Sequence, residues 1–211
     1  MEIKSFTCNP YQENGYVLFD ETKDCVIIDP GMNNGAEQNA LVNFISANKL
    51  NPVRLLNTHC HIDHVLGNQF VASTYNLLPE FHRTELDLLH AIPAYAPQMG
   101  IAYEVSPLPE KFLGESGTIS FGNSELELIF APGHSPGHLC FYSRADNFLI
   151  GGDVLFYQSI GRTDLPGGNH QQLLDSIRFK LFTLPGDCMV HPGHGPSTRI
   201  EFEQQHNPFL V

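Results

Sequence analysis

The sequence contains no tryptophan, only 11 lysines and arginines against 23 aspartates and glutamates, and no C-x-x-C pair. Each shortage excludes something. A formal charge of −12 without any basic run lacks the footprint that neutralises phosphates, so neither nucleic acid nor an anionic membrane surface is expected as a partner. Five cysteines at positions 8, 25, 60, 140 and 188 are odd in number and widely spaced. They suit buried apolar positions better than a disulfide framework or a thiolate zinc site. No apolar stretch approaches the roughly 18 residues that span a bilayer, and the start Met1-Glu2-Ile3-Lys4-Ser5-Phe6 has no charged-then-apolar leader pattern. A cytoplasmic protein is expected.

What is present is enough apolar material, 42% of 211 residues, for one domain spanning 1–211. Strand-like runs occur at Gly15 to Phe19, Cys25 to Asp29 and Val53 to Asn57, with a helix from Gly35 to Ala47 whose buried face is set by Ala40, Leu41, Phe44 and Ile45. A loop at Thr58 to His64 leads into a helix, Leu66 to Thr74. Prolines 93, 97, 107 and 109 predict a helix limited to Arg83 to His90, then irregular chain to Leu113. Strands follow at Thr118 to Phe121, Leu126 to Phe130, Leu139 to Ser143 and Phe148 to Gly151. Asn169 and Gln172 resemble a capping box, opening a helix with Leu173, Leu174, Ile177 and Leu181 on one face. Pro185-Gly186 ends it before a strand, Cys188 to Val190, and a last helix, Arg199 to Gln205. Two β-rich blocks, each with helices, predict an α/β protein with a four-layer αββα sandwich.

The polar residues are more specific. His59, His61, Asp63 and His64 occupy six positions directly after a strand, where alternation sends His59 and His61 to one side. Three further strand-end loops each present a ligand-type side chain: His134 in Ala131-Pro132-Gly133-His134, Asp153 in Ile150-Gly151-Gly152-Asp153, and His194 in His191-Pro192-Gly193-His194. Seven such groups exceed what one tetrahedral ion takes and suit two ions sharing a carboxylate. Asp153 is the natural bridge.

This order of residues, with Asp29-Pro30-Gly31 near the start, resembles the metallo-β-lactamase fold superfamily over essentially the whole chain. The resemblance implies that His59, His61 and His134 hold one divalent metal and Asp63, His64 and His194 the other, bridged by Asp153. Zinc is the first expectation, with iron and manganese as alternatives. Asp63 and Asp153 would be the catalytic carboxylates, and hydroxide bridging the metals would be the nucleophile of a hydrolase. Asn9-Pro10-Tyr11-Gln12-Glu13-Asn14, the Ser159 to Gly168 stretch and Pro192-Gly193-His194-Gly195-Pro196 are similar to short bacterial glyoxalase II-like hydrolases, which cleave glutathione thioesters such as S-lactoylglutathione. The expected partner is therefore a small-molecule thioester.

Longer glyoxalase II members add a basic C-terminal helical domain, whereas after His194 this chain offers only Arg199. Substrate carboxylates are therefore expected to meet Arg162, with Tyr157 beside it; the alternative is that Arg162 pairs structurally with Asp164. A rival within the fold is a persulfide dioxygenase with one iron on His59, His134 and Asp153, which shares the Gly161-Arg162-Thr163-Asp164 run. A metal-binding module without activity is the non-enzymatic alternative. Asp29, Asp164 and Asp187 are candidates for orienting ligand histidines, while His138 and His191 read as supporting groups and Cys60 as pointing away from the metals.

Overall fold

In the computed structural model, which describes Met1–Val211, the central strands are apolar on both faces because each is covered twice. The first half supplies β1 (Glu2–Cys8), β2 (Glu13–Phe19), β3 (Asp24–Ile28), α1 (Gly35–Asn48), β4 (Asn51–Leu56), α2 (Ile62–Val65), α3 (Asn68–Tyr75) and β5 (Pro79–Glu80), then a 3₁₀ turn at Arg83–Glu85 and α4 (Leu86–Tyr95). The second half supplies β6 (Thr118–Phe121), β7 (Ser124–Phe130), β8 (Leu139–Ser143), β9 (Phe148–Gly152), a small hairpin of β10 (Leu155–Phe156) and β11 (Ser159–Ile160), α5 (His170–Phe179), β12 (Met189–Pro192), β13 (Thr198–Arg199) and α6 (Ile200–His206). The strands form one sheet in the order β1-β2-β3-β4-β5 and another in the order β13-β12-β9-β8-β7-β6.

Strand alternation then divides the core into layers. Tyr16 and Leu18 of β2 meet Phe141 of β8 and Ile150 of β9 between the sheets. Their neighbours Val17 and Phe19 face the other way, onto Leu41 and Ile45 of α1 and Val71 of α3. On the second sheet Cys140, Tyr142 and Val190 face Leu173 and Ile177 of α5 and Ile200 of α6. This is the expected four-layer αββα sandwich. No helix is long and apolar enough to cross a membrane.

Four local expectations change. The β1 strand was not foreseen, because it lies at a sheet edge and exposes most of its residues. Residues 62–75 make two short helices broken at Gly67, whose N–H donates to the Pro30 carbonyl at 2.6 Å. The α4 helix runs past Pro93 to Tyr95, since Leu89 and Ile92 are buried against Ile62, Val65 and Phe81. Packing there outweighs one missing backbone bond. Ala40 is exposed, and the α1 face is carried by Leu41 and Ile45. At α5, Asn169 does cap the helix by accepting from Gln172 N (3.1 Å), but its own N–H goes to the Gly133 carbonyl (2.7 Å), so the box is half made and anchors the His134 loop.

At the end of the sandwich away from the histidine loops, Asp20 joins the sheets. Its carboxylate, after β2, accepts from Thr22 N and Oγ1 at 2.9 and 2.5 Å, and across the interface from Asn123 N (2.7 Å) and Ser124 Oγ (2.8 Å). Burial raises its pKa, but these bonds to the ionised form win and hold it at about 2. A folded-state value below the unfolded one contributes stability above about pH 4, lost as pH falls towards 2. Asp20→Asn should accordingly lower Tm at neutral pH and flatten the acid limb of a Tm-against-pH curve.

Candidate metal centre

All four ligand-bearing loops emerge at one end of the sandwich, after β4, β7, β9 and β12. The first sheet brings His59, His61, Asp63 and His64, and the second brings His134, Asp153 and His194. Two separate groupings form with candidate ligand atoms within 4.8 Å of one another, His59, His61 and His134, and Asp63, His64 and His194; a third, Asp29, His59 and His64, shares its histidines with these two. The seven residues expected from the sequence converge.

Hydrogen bonding decides which ring nitrogen of each histidine is free. His134 Nδ1–H donates to the Arg162 carbonyl (2.7 Å), which leaves an Nε2 lone pair. Thr58 Oγ1 donates to Asp29 Oδ2 (2.6 Å) and so accepts from His59 Nδ1–H (2.9 Å), freeing His59 Nε2. These two lone pairs face each other at 3.2 Å, and His61 Nδ1 lies 2.8 Å from His134 Nε2. Ligands about 2.0 Å from a tetrahedral ion stand about 3.3 Å apart, so the spacing fits a cation at their centre. Burial and the neighbouring His134 push His61 down to about 3, and burial holds His59 and His134 low as well, so all three are neutral and ready to ligate.

The second grouping is richer in charge. His64 Nδ1–H donates to Asp29 Oδ2 (3.1 Å) and His194 Nδ1–H to the Tyr11 carbonyl (3.1 Å), again turning both Nε2 atoms inward. His194 Nε2 lies 3.2 Å from Asp63 Oδ2. Asp153 sits between the groupings: Oδ1 is 3.5 Å from His64 Nε2, and Oδ2 is 3.5 Å from both His134 Nε2 and His194 Nε2. Burial opposes ionisation of Asp153, yet attraction to His64 overcomes it and draws its carboxyl far below the usual range; Asp63 is lowered by the same pull. The two carboxylates in turn raise His64 and His194 against the effect of burial. His64 Nε2 and Asp153 Oδ1 are buried without a hydrogen-bond partner, a state that costs about 1–3 kcal/mol per group. Divalent ions fit where these atoms converge.

Of the proposed orienting acids, only Asp29 reaches a histidine. Its oxygens take Thr58 N (2.7 Å), Thr58 Oγ1 and His64 Nδ1, so it supports both groupings while its own acceptor sites are filled. Asp164 pairs with Arg162, and Asp187 accepts from Asn147 Nδ2 (3.0 Å). His138 is stacked on His59 and accepts the Asp153 N–H at Nε2 (3.0 Å), fixing the bridging residue's backbone. His191 contacts Ser197, Tyr16 and Phe148. Cys60 is buried among Ile62, Val65 and Phe81, and its thiol is pushed up by burial.

Two residues were missed. Buried Glu85 accepts from Cys60 N (2.8 Å) and Gly137 N (2.6 Å), tying together the loops of His59, His61 and His134. Glu13 is buried beside His64. Neither has a local signal, because only tertiary burial separates them from ordinary surface acids.

Arg162 is exposed and makes a bidentate pair with Asp164 at 2.7 and 2.8 Å. Tyr157 is also exposed and stacks on Phe202 at 5.2 Å.

The model of the metallo-beta-lactamase superfamily matches residues 8–194. Hydroxyacylglutathione hydrolase GloC of Haemophilus influenzae is 34% identical over 213 residues, covering 100% of this chain and 98% of that protein. Among solved structures, the BLEG-1 B3 metallo-beta-lactamase superposes with a TM-score of 0.91 at 36% identity, covering 100% of both chains. TTHA1623 in a di-iron-bound form superposes with a TM-score of 0.87 at 36% identity, covering 98% of this chain and 100% of that one. With its fold, its converging histidines and these relatives in agreement, the chain belongs to the metallo-β-lactamase superfamily of metal-dependent hydrolases.

Proposed function

We propose that the chain is a binuclear hydrolase that cleaves a small thioester, of which S-lactoylglutathione is the representative. The observation that carries this reading is Asp153, whose two oxygens address both histidine groupings at 3.5 Å. Zinc suits the nitrogen and oxygen donors and their tetrahedral spacing, with iron or manganese the other fits. Two such ions bound here would polarise the substrate carbonyl and lower the pKa of water towards 7.

The chain's own groups favour a thioester over a β-lactam. In this reading Asp63 and Asp153 would both be metal ligands, so neither serves as the acid for a leaving amine. A thiolate of pKa about 8.5 leaves without one. The name of the Haemophilus relative points the same way.

Arg162 supplies the cation. Its pair with Asp164 is solvent-exposed and therefore weak, so a substrate carboxylate can replace Asp164 in the same bidentate geometry. Arg162→Ala should raise KM for an anionic thioester several-fold and leave kcat nearly unchanged. An unaltered KM would assign Arg162 to the structural pair alone.

Metal analysis of purified protein, followed by parallel assays of thioester hydrolysis, β-lactam hydrolysis and persulfide-dependent oxygen uptake, tests the whole reading. Two divalent ions and metal-dependent thioester turnover are expected. A single iron with oxygen uptake would establish the dioxygenase instead, and β-lactam turnover alone would replace the substrate.

A further inference from the structure

The Asn9-Pro10-Tyr11-Gln12-Glu13-Asn14 segment forms the turn between β1 and β2 and the first two residues of β2, and it touches every residue of the second grouping. Asn9 Nδ2 donates to the Asp63 carbonyl at 3.0 Å and to the Gly31 carbonyl at 2.9 Å. The Tyr11 carbonyl holds His194 Nδ1. Asn14 brackets His194, its N–H on the Gly193 carbonyl (2.7 Å) and its Nδ2 on the Pro192 and Gly195 carbonyls at 3.2 and 3.0 Å. Glu13 forms an isolated β-bridge with His194 and places Oε1 3.8 Å from His64 Nδ1. Among the candidate ligands, the segment's contacts are with Asp63, His64 and His194, the three residues of one grouping.

Glu13 is fully buried, and neither carboxylate oxygen has a hydrogen-bond partner. The fold makes room for it: a Cβ on Gly31 would stand 1.9 Å from Glu13 Oε2 and 2.6 Å from the Asp63 carbonyl oxygen. An unpaired buried carboxylate is costly unless opposite charge lies close by. Four carboxylates surround the His64 ring, with Glu13, Asp29, Asp63 and Asp153 at 3.8, 3.1, 3.8 and 3.5 Å.

We propose that the Asn9–Asn14 segment is the positioning element of the second metal, fixing Asp63 through Asn9 and His194 through Tyr11 and Asn14 and filling the space behind His64 with Glu13. The proposal rests on the binuclear reading. Selectivity is its distinguishing consequence: damage to the segment releases one ion and spares the other, as loss of a group that orients a metal ligand weakens metal binding about 10–100-fold.

The test is a titration of metal-stripped protein with Zn(II) against a chromophoric chelator, with Co(II) absorption reporting each site. Wild type is expected to take two ions. Glu13→Gln, which keeps the shape and puts an amide in place of one buried oxygen behind His64, should bind the first as wild type does and the second at least tenfold more weakly. Wild-type affinity at both sites, or equal weakening at both, overturns the proposal. Wild type taking a single ion would instead defeat the binuclear reading, and the proposal with it. Should Glu13→Gln fail to fold, Asn9→Gly carries the same expectation, because it removes the bond to Asp63 while suiting the positive φ of 53° at that position.

Discussion

Asp153→Ala is expected to empty both metal sites and to reduce turnover by well over 100-fold. Substituting a group that merely supports a ligand typically costs about 10–100-fold in metal affinity or activity. Asp153 is closer to the chemistry than that, since Oδ1 faces His64 while Oδ2 faces His134 and His194. Its removal leaves each histidine grouping one ligand short and takes away the negative charge between them. The backbone is spared, because the bond from Asp153 N to His138 does not involve the side chain. Metal content per folded chain and thioester turnover are the measurements. A variant that keeps two ions, or one that keeps a tenth of the activity, would refute the bridging role.

A comparable loss is expected from adding one methyl group at Gly193. A Cβ there would stand 2.2 Å from Asp153 Oδ1, 2.7 Å from His64 Cε1 and 3.3 Å from the Gly152 carbonyl carbon. The glycine has little freedom to retreat, since its N–H donates to the Gly152 carbonyl (2.8 Å) and its own carbonyl accepts from Asn14 (2.7 Å). Gly193→Ala should displace Asp153 and His64, lower the stoichiometry below two and destabilise the fold by about 1–3 kcal/mol. Gly35→Ala is the control: it opens α1 in the open, with nothing within 4 Å of the added carbon, and should be neutral or slightly stabilising. Equal behaviour of the two variants in metal analysis would show that space at Gly193 is not needed by the site.

The convergence of the candidate ligands was legible because each pairs a ligating side chain with a strand end, and His134, Asp153 and His194 also have glycine or proline beside them. The double covering of both sheets was legible too, in runs such as Tyr16-Val17-Leu18-Phe19, where every residue is buried. Edge strand β1 was not, since half-exposed alternation in Glu2–Cys8 resembles surface loop. Nor was the continuation of α4 through Pro93, which depends on contacts with residues some 30 positions earlier in the chain. Glu13 and Glu85 illustrate the general limit. A glutamate reads as solvated until distant segments close over it, and what matters for both is the partner loop supplied by the fold.

The division of ligands between sheets has a thermodynamic consequence. His59 and His61 reach across to His134, and Asp63 and His64 reach across to His194, so an ion at either place is a cross-link between the two halves of the sandwich. The far end is pinned without metal by Asp20 on Asn123 and Ser124. At the near end the fastening is exchangeable, and free ion at a hundred times its Kd would add about 2.7 kcal/mol of folding stability per site. A chelator is therefore expected to act on this protein as a one-ended denaturant, with the fraction of chains that stay folded following the supply of free metal.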